Sequence, residues 1–499
     1  MAAFTGVSAV SGVGTPAHAA PVAVKPPGAY VNIKDAPFNA VGDGAADDTA
    51  AVQAFFTHLG QTGLTGTAEG TFRLTKSIAI HQPAKPFTFR GCGAGTKFMA
   101  DFKSLASVFY VKNAVETVFE NFTIEGKKSA VTAHGMNLSN CQDTTVENVT
   151  VLNWGYTAIM FMWDKGLGGE SLRNRIAGCT ARSLDGKARN GFMLENSKSS
   201  HILNCQVYNL DPEGEPSFGL QMKNRCVNCS IIGGSVDGAR AGVAFGTTTD
   251  LVAVGLMVSG VTVRNCLQGV MVDMAYGTRV DMTIDMAENP FCQHGVYIAS
   301  DQSSFGTYNV TVLNIPDTGL AVMMKNTGNT VNLAMNKIGN ARLVEFTPGS
   351  TLNVINVSAI GGKSDLSILQ APIIDNSGAK SGNKVTFPSL TGRLHSLDNT
   401  ASILRFTSPS DTGTYIQNNH ATGMWTFRSL GTDVVAFSPS ALNHAGASDT
   451  ATLGIPSRRW KEVYASKYFV GAVFTTSGTG SPEGVVEAPV GSEYVDTTG

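Results

Sequence analysis

Gly191-Phe-Met-Leu-Glu195, Gly219-Leu-Gln-Met-Lys223, Gly242-Val-Ala-Phe-Gly246, Gly269-Val-Met-Val-Asp273, Gly295-Val-Tyr-Ile-Ala299 and Gly319-Leu-Ala-Val-Met323 repeat one short pattern. By subtraction the glycines lie 28, 23, 27, 26 and 24 residues apart. A period in this range is that of a solenoid, in which each coil lays a strand over its predecessor at about 4.8 Å. Side-chain alternation along a strand then assigns faces. The first and third residues after each Gly point inward: Phe192/Leu194, Leu220/Met222, Val243/Phe245, Val270/Val272 and Val296/Ile298. All are apolar, which a solvent-facing column would not be. The second and fourth point outward: Met193/Glu195, Gln221/Lys223, Ala244/Gly246, Met271/Asp273 and Tyr297/Ala299. A second strand precedes each of these, with Val207, Val236, Val263 and Met286 expected inward. Asn153, Asn209, Asn265 and Asn314 follow it and are expected to form an asparagine stack that closes one tight turn, their side chains satisfying backbone groups along the axis.

Composition agrees with a repeat architecture. At 499 residues the chain is too long for one ordinary compact core. Its 36 basic and 38 acidic residues leave a net charge of −2, so no basic excess points to nucleic acid or an anionic membrane. Charged residues are 15% of the chain and glycines number 55, which suits many short strands and tight turns. No apolar run is long enough for a membrane span, so no membrane insertion is expected. Of the cysteines, Cys226 and Cys229 form the single CxxC, with no second pair and no His at zinc spacing. The thiols are therefore read as free and stacked in the core, in a chain folded under reducing conditions. No metal and no cofactor is expected.

Residues 30 to 59 carry the most specific local signal. Tyr30-Val-Asn-Ile-Lys-Asp35 leads into Ala40-Val-Gly-Asp-Gly-Ala-Ala-Asp-Asp-Thr49. Asp47 and Asp48 stand where a helix N-cap belongs, and Val52, Phe55, Phe56 and Leu59 follow at helical spacing. This stretch resembles the start of the pectate-lyase-like superfamily of right-handed β-helices, especially bacteriophage tailspikes and depolymerases. There a helix caps the open end of the solenoid. Near the other end, Ala451-Thr-Leu-Gly-Ile-Pro-Ser-Arg-Arg-Trp-Lys-Glu-Val-Tyr-Ala465 resembles a segment common near the C-termini of phage tail fibres and tailspikes.

The expected fold is therefore all-β: a right-handed parallel β-helix with a short N-terminal capping helix and a C-terminal β-rich fibre module. Expected divisions are a linker or attachment segment over 1–29, the β-helix over 30–375, a β-rich module over 376–445 and a fibre-end or trimerisation segment over 446–499. The resemblance implies a homotrimer carried on a virion tail and attached to a tail or baseplate protein through its N-terminus. It implies bacterial surface polysaccharide, capsule or O-antigen, as the partner.

No Walker loop, dinucleotide fingerprint, Gly-x-Ser-x-Gly elbow or His-Glu-x-x-His helix occurs. Chemistry is left to the outer face of the coils. Glycoside hydrolysis needs two carboxyl groups, about 5 Å apart for retention or roughly 6.5–9.5 Å for inversion. On the preceding strand the outward position runs Arg182, Tyr208, Asp237, Arg264. Asp237 and Asp273 are expected to face each other across the groove between the two strands. The excursion Asp211-Pro-Glu-Gly-Glu-Pro-Ser217 projects above them, so Asp211, Glu213 and Glu215 join the candidate acidic patch, with Glu195 below. Lys223, Arg264, Tyr208, Tyr297 and Trp163 are the candidate sugar contacts; an equally good reading of Trp163 is core filler. Three functions fit these residues, in descending order: an endo-acting glycosidase, a glycan-binding fibre without catalysis, and a polysaccharide lyase using Lys223, Arg264 and Tyr208.

Overall fold

The computed structural model describes residues 30–359, apart from 103–105, 127–133, 165, 167–169, 212–216, 247–251, 288–289, 301–302 and 337–340, and a set of strands beyond. The first unit is an all-β parallel solenoid of about 11 turns with one short helix near its start. Most of its strands join one 28-stranded sheet, and Ser171–Leu172 with Ser197–Lys198 and Ala253–Val254 with Ala275–Tyr276 form two short two-stranded ones. The glycine-led strands form one column, in register from Ile78↔Phe109 through Phe192↔Leu220, Leu220↔Val243, Val243↔Val270 and Val270↔Val296 to Val322↔Val344. All ten inward residues expected from the repeat are fully buried. Each such side chain contributes about 1.5–3 kcal/mol by leaving water.

The glycines recur because two strands meet closely at that corner. A Cβ on Gly191 would stand 2.6 Å from Val207 Cγ2, and one on Gly269 would stand 2.5 Å from Ile284 Cδ1. Gly219 and Gly242 meet Val236 and Val263 in the same way. The requirement is space; none of these four has a left-handed backbone.

Two register assignments change. Gly319 is not the sixth member of the column: His294 pairs with Leu320 and Val296 with Val322, so Ala321 takes the glycine's place. The two-residue offset was hidden because Val322 faces inward in either register. In the second column the partner of Val263 is Ile284, not Met286. Gly260 is an extra residue at a register shift between Ser259 and Val261, which moves the next coil's partners. Met286 is buried just past the strand end. The outward positions also differ from a solvated face. Met193, Gln221 and Ala244 are buried, and Ala244 shares a small apolar cluster with Phe218 and Ala241, apart from the main core.

The helix Thr49–Thr62 buries Val52, Phe55, Phe56 and Leu59 against the first coils. Asp48 makes no side-chain cap; its carboxylate instead accepts from Val41 N (2.7 Å) and Gly42 N (3.0 Å) and pins the Gly-Asp-Gly turn. Asp47 accepts from Thr49 N at 3.0 Å. Beneath the helix the core is aromatic, with Phe56 ring centroids 5.0 Å from Phe89 and 5.5 Å from Phe109. All eight cysteines are free, and all but Cys92 are buried.

Asn153, Asn209, Asn265 and Asn314 all adopt left-handed backbone, with φ between 50° and 56°. They do not stack on one another, because Ser183, Gly238 and Met286 fill the coils between. True amide ladders lie elsewhere, along Asn309, Asn332 and Asn356 on the outer face (2.7 and 2.8 Å) and inside along Asn329, Asn353 and Asn383 (3.4 and 3.1 Å).

A second compact unit spans Thr400–Gly499. It contains an antiparallel succession of Ala401–Arg405, Tyr415–Asn419, Met424–Ser429, Thr432–Ser438 and Ala441–Asn443. Further along, Lys467–Val470, Val473–Gly478 and Glu493–Asp496 form a three-stranded sheet. The attachment segment 1–29 and the fibre-like stretch 451–465 lie outside the described residues.

Candidate functional site

At the end of the second column, just before the turn into the glycine column, one outward side chain per coil forms a row. Its order is Leu152, Arg182, Tyr208, Asp237, Arg264, Asp285, Leu313, each paired laterally with the next. The row lies along a cleft of about 570 Å³ lined by Arg182, Tyr208 and Asp237 and by the turn residues Ser183, Leu184, Asn209, Gly238 and Asn265. The left-handed turns at Asn209, Gly238 and Asn265 let the chain bend sharply beside the row.

Each polar group in the row is held. The Arg182 guanidinium lies 5.1 Å from the Tyr208 ring centroid, and the Tyr208 hydroxyl donates to Gln206 Oε1 at 3.0 Å. Asn209 Nδ2 donates to Ser183 O at 2.8 Å. Asn265 Nδ2 donates to Asp237 Oδ1 at 2.8 Å, and Asn314 Nδ2 donates to Asp285 Oδ1 at 2.8 Å. Arg264 Nε stands 3.5 Å from Asp285 Oδ2. Asp237 and Asp285 flank Arg264, so their backbones are two coil rises apart, about 9.6 Å. The site thus offers an aromatic face, amide groups and two carboxylates along one line.

The other candidate residues are dispersed. Asp273 follows Val272 at the far end of the glycine column, its N–H bonded to Phe245 O at 2.9 Å. Asp237 precedes the turn at the near end. The strand from Ala241 to Gly246 separates their levels by roughly 17 Å at 3.3 Å per residue. The two therefore do not meet. Glu195 sits near that far end and is largely buried, accepting from Asn224 Nδ2 at 2.6 Å, with Lys223 Nζ 3.6 Å away. Trp163 is beside it, half-buried, and donates its backbone N–H to Glu195 O at 3.1 Å. Tyr297 lies on the outer face of the glycine column, its ring 4.9 Å from that of His294, whose pKa burial pushes down to about 4. Asp211 lies two residues past the cleft residue Asn209, with its N–H on Ala188 O at 3.1 Å. Glu213 and Glu215 lie outside the described residues. Among the described residues no group of three His, Cys, Asp or Glu is placed to hold a metal ion.

Asp285 is the residue that reading the sequence overlooked. Taking Met286 for the inward partner of Val263 shifts the register by two residues, puts Ala287 beside Arg264 and leaves Asp285 out of the row. Alternation in Arg279-Val-Asp-Met-Thr-Ile-Asp285 gives no warning, because Ile284 and Met286 share the inward parity and Asp285 faces outward in either register.

No family model matches this chain, and no curated protein matches it. Solved structures do match in fold. The Dettilon tailspike protein superposes with a TM-score of 0.56 at 14% identity, over 82% of this chain and 80% of that one. DFA-IIIase from Arthrobacter chlorophenolicus, without its lid and in complex with GF2, gives 0.51 at 12% identity, over 72% of this chain and 98% of that one. At these identities the likeness is one of fold.

Proposed function

We propose that this solenoid binds bacterial surface polysaccharide along the Arg182–Asp285 row and hydrolyses it as an endo-acting glycosidase. The observation that carries the reading is the cleft itself, where a tyrosine ring, two turn amides and an aspartate converge within an open groove. An aromatic face takes the apolar side of a sugar ring, while amides and carboxylates take its hydroxyls. A groove open along the coil axis admits the interior of a long chain, which fits internal cleavage. Similarity of fold to a tailspike protein and to the enzyme DFA-IIIase supports the class.

The acid pair is assigned to Asp237 and Asp285. Their backbone separation of about 9.6 Å lies at the upper edge of the inverting range and well beyond the retaining one. One carboxyl protonates the departing oxygen while the other activates water on the opposite face of the sugar. A glycan-binding role without catalysis is favoured by one observation, the position of Arg264 between the two carboxylates. On either reading the chain acts outside the cell as a homotrimeric virion tail component, with residues 1–29 assigned to attachment and 446–499 to trimerisation.

Capsule and O-antigen polysaccharides incubated with the protein should shorten without gaining the ultraviolet absorbance of an unsaturated uronate. D237N and D285N should each lower the rate by about 10²–10⁴-fold. Shortening with absorbance would replace the hydrolase by a lyase. Binding without shortening would leave a glycan-binding fibre.

A further inference from the structure

We propose that the glycan in this cleft is acidic, and that Arg182 binds its carboxylate at a subsite one or more sugars away from the reacting carboxyls. The inference rests on the polysaccharide reading above and names the substrate class. Elsewhere on the solenoid's outer face, some cations are matched across one coil by a carboxylate: Arg173 with Asp143 (2.6 Å), Lys198 with Glu170 (2.6 Å), Lys97 with Glu125 (2.8 Å) and Arg264 with Asp285 (3.5 Å). Arg182 is not among the cations so matched, and it stands in the cleft. Its lateral neighbours are Leu152 and Tyr208, and among the described residues its guanidinium meets no carboxylate.

Arg182 is exposed and lines the cleft. Resting on the Tyr208 ring, the guanidinium is held by its face, which leaves its planar fork of N–H donors to point elsewhere. That fork matches a carboxylate with two parallel hydrogen bonds. An unmatched cation in a concave surface also raises the local potential and draws a polyanion toward it. Neutral sugars would use the fork only through weaker, uncharged hydroxyl acceptors and would not use the potential.

The row fixes where that carboxylate sits. Tyr208 separates Arg182 from Asp237, so the two are two coil rises apart, about 9.6 Å, which is longer than one sugar ring. The sugar carrying the acid group is therefore a neighbour of the one whose linkage faces Asp237, with the Tyr208 ring beneath the chain between them. A lyase needs the carboxylate on the sugar that loses its proton. A carboxylate held at Arg182 serves recognition instead.

The test takes the intact chain and a broad panel of neutral and acidic bacterial capsule and O-antigen polysaccharides. Each acidic polymer is also used after chemical reduction of its carboxylates to primary alcohols. Binding should be confined to acidic polymers, and carboxyl reduction should weaken it about tenfold to a hundredfold. R182Q should cause a similar loss on the native polymer and little further loss on the reduced one, with R182K retaining part of the affinity. Reduced or neutral polymers binding as tightly as native acidic ones would overturn the inference and leave the polysaccharide reading standing. Equal loss by R182Q on both forms would do the same. Absence of binding across the whole panel would overturn both. The comparison of native and reduced polymer needs no variant, so it decides the matter even if R182Q melts early.

Discussion

Replacing Gly269 with alanine tests the reason given for the glycine column. The backbone at Gly269 is not left-handed, so alanine brings no conformational penalty there. Its methyl group would stand 2.5 Å from both Ile284 Cδ1 and Cγ2 and 2.7 Å from Gly295 O. Carbon atoms rest at about 3.5–4.0 Å, so each overlap is roughly 1 Å. Hydrogen-bonded coils on both sides keep the backbone from retreating. Overpacking of this kind costs about 1–3 kcal/mol, and the fixed carbonyl puts this site near 3. Residues 30–359 would unfold with an entropy of about 0.7 kcal/mol per kelvin, at about 2.1 cal/mol/K for each. The melting temperature, followed by far-ultraviolet circular dichroism, should then fall by about 4 °C. Ala321→Gly is the reciprocal, because that coil already accommodates a methyl at the equivalent position; it should lose up to about 1 kcal/mol. A G269A melt within about 1 °C of the parent would refute the close-approach account, as would a gain in stability for A321G.

Two further outcomes follow from the burial pattern. Burial pushes His134 and His294 down to about 4, and both have a buried Nδ1 with no partner. Folded values below the ordinary 6.5 mean the unfolded chain binds more protons between those limits, so stability is lost as pH falls from 6.5 to 4. Each histidine accounts for at most about 3 kcal/mol of that loss. A chain with both changed to glutamine should show a flatter denaturation midpoint against pH, and parallel curves would contradict the assignment. Burial also pushes the thiols of Cys141 and Cys292 up to about 12, and Cys92 is the one exposed cysteine. A thiol reagent should therefore modify one site per native chain and all eight after unfolding; two fast sites would show a core thiol open to solvent.

The sequence was readable where one periodicity acted alone. Within a strand the alternation of Phe192 with Met193 and of Val270 with Met271 assigned faces correctly, because a two-residue period has one solution once the core side is known. Reading from coil to coil was harder, since it depends on counting residues through turns of variable length. Gly319 and Met286 went astray for that reason, each by two residues. Pairing Asp237 with Asp273 had a different cause. Facing outward from neighbouring strands says nothing about distance along the strand, and these two stand at opposite ends of one. The Arg182–Tyr208–Asp237–Arg264 row was legible because its members occupy the same place in consecutive coils. Asp285 was lost with Met286. Burial of Gln221 and Ala244 on the outward face had no signature, since alternation reports which way a side chain points and not what lies over it.

The phenylalanines under the capping helix give the solenoid an orientation in time as well as in space. From Phe55 to Phe122 ten buried aromatic rings crowd the first coils, whereas the later inward positions are filled mainly by valine, isoleucine, leucine and methionine. Contacts in a stacked array run between nearest neighbours, so ordering starts where one interface is strongest and spreads outward. The aromatic end is also the first part of the solenoid to leave the ribosome. Each later coil can then dock on a finished template. In the mature protein the same gradient sets the direction of fraying: amides in coils near Val344 should exchange with solvent before those near Phe98, as a zip opens from its loose end.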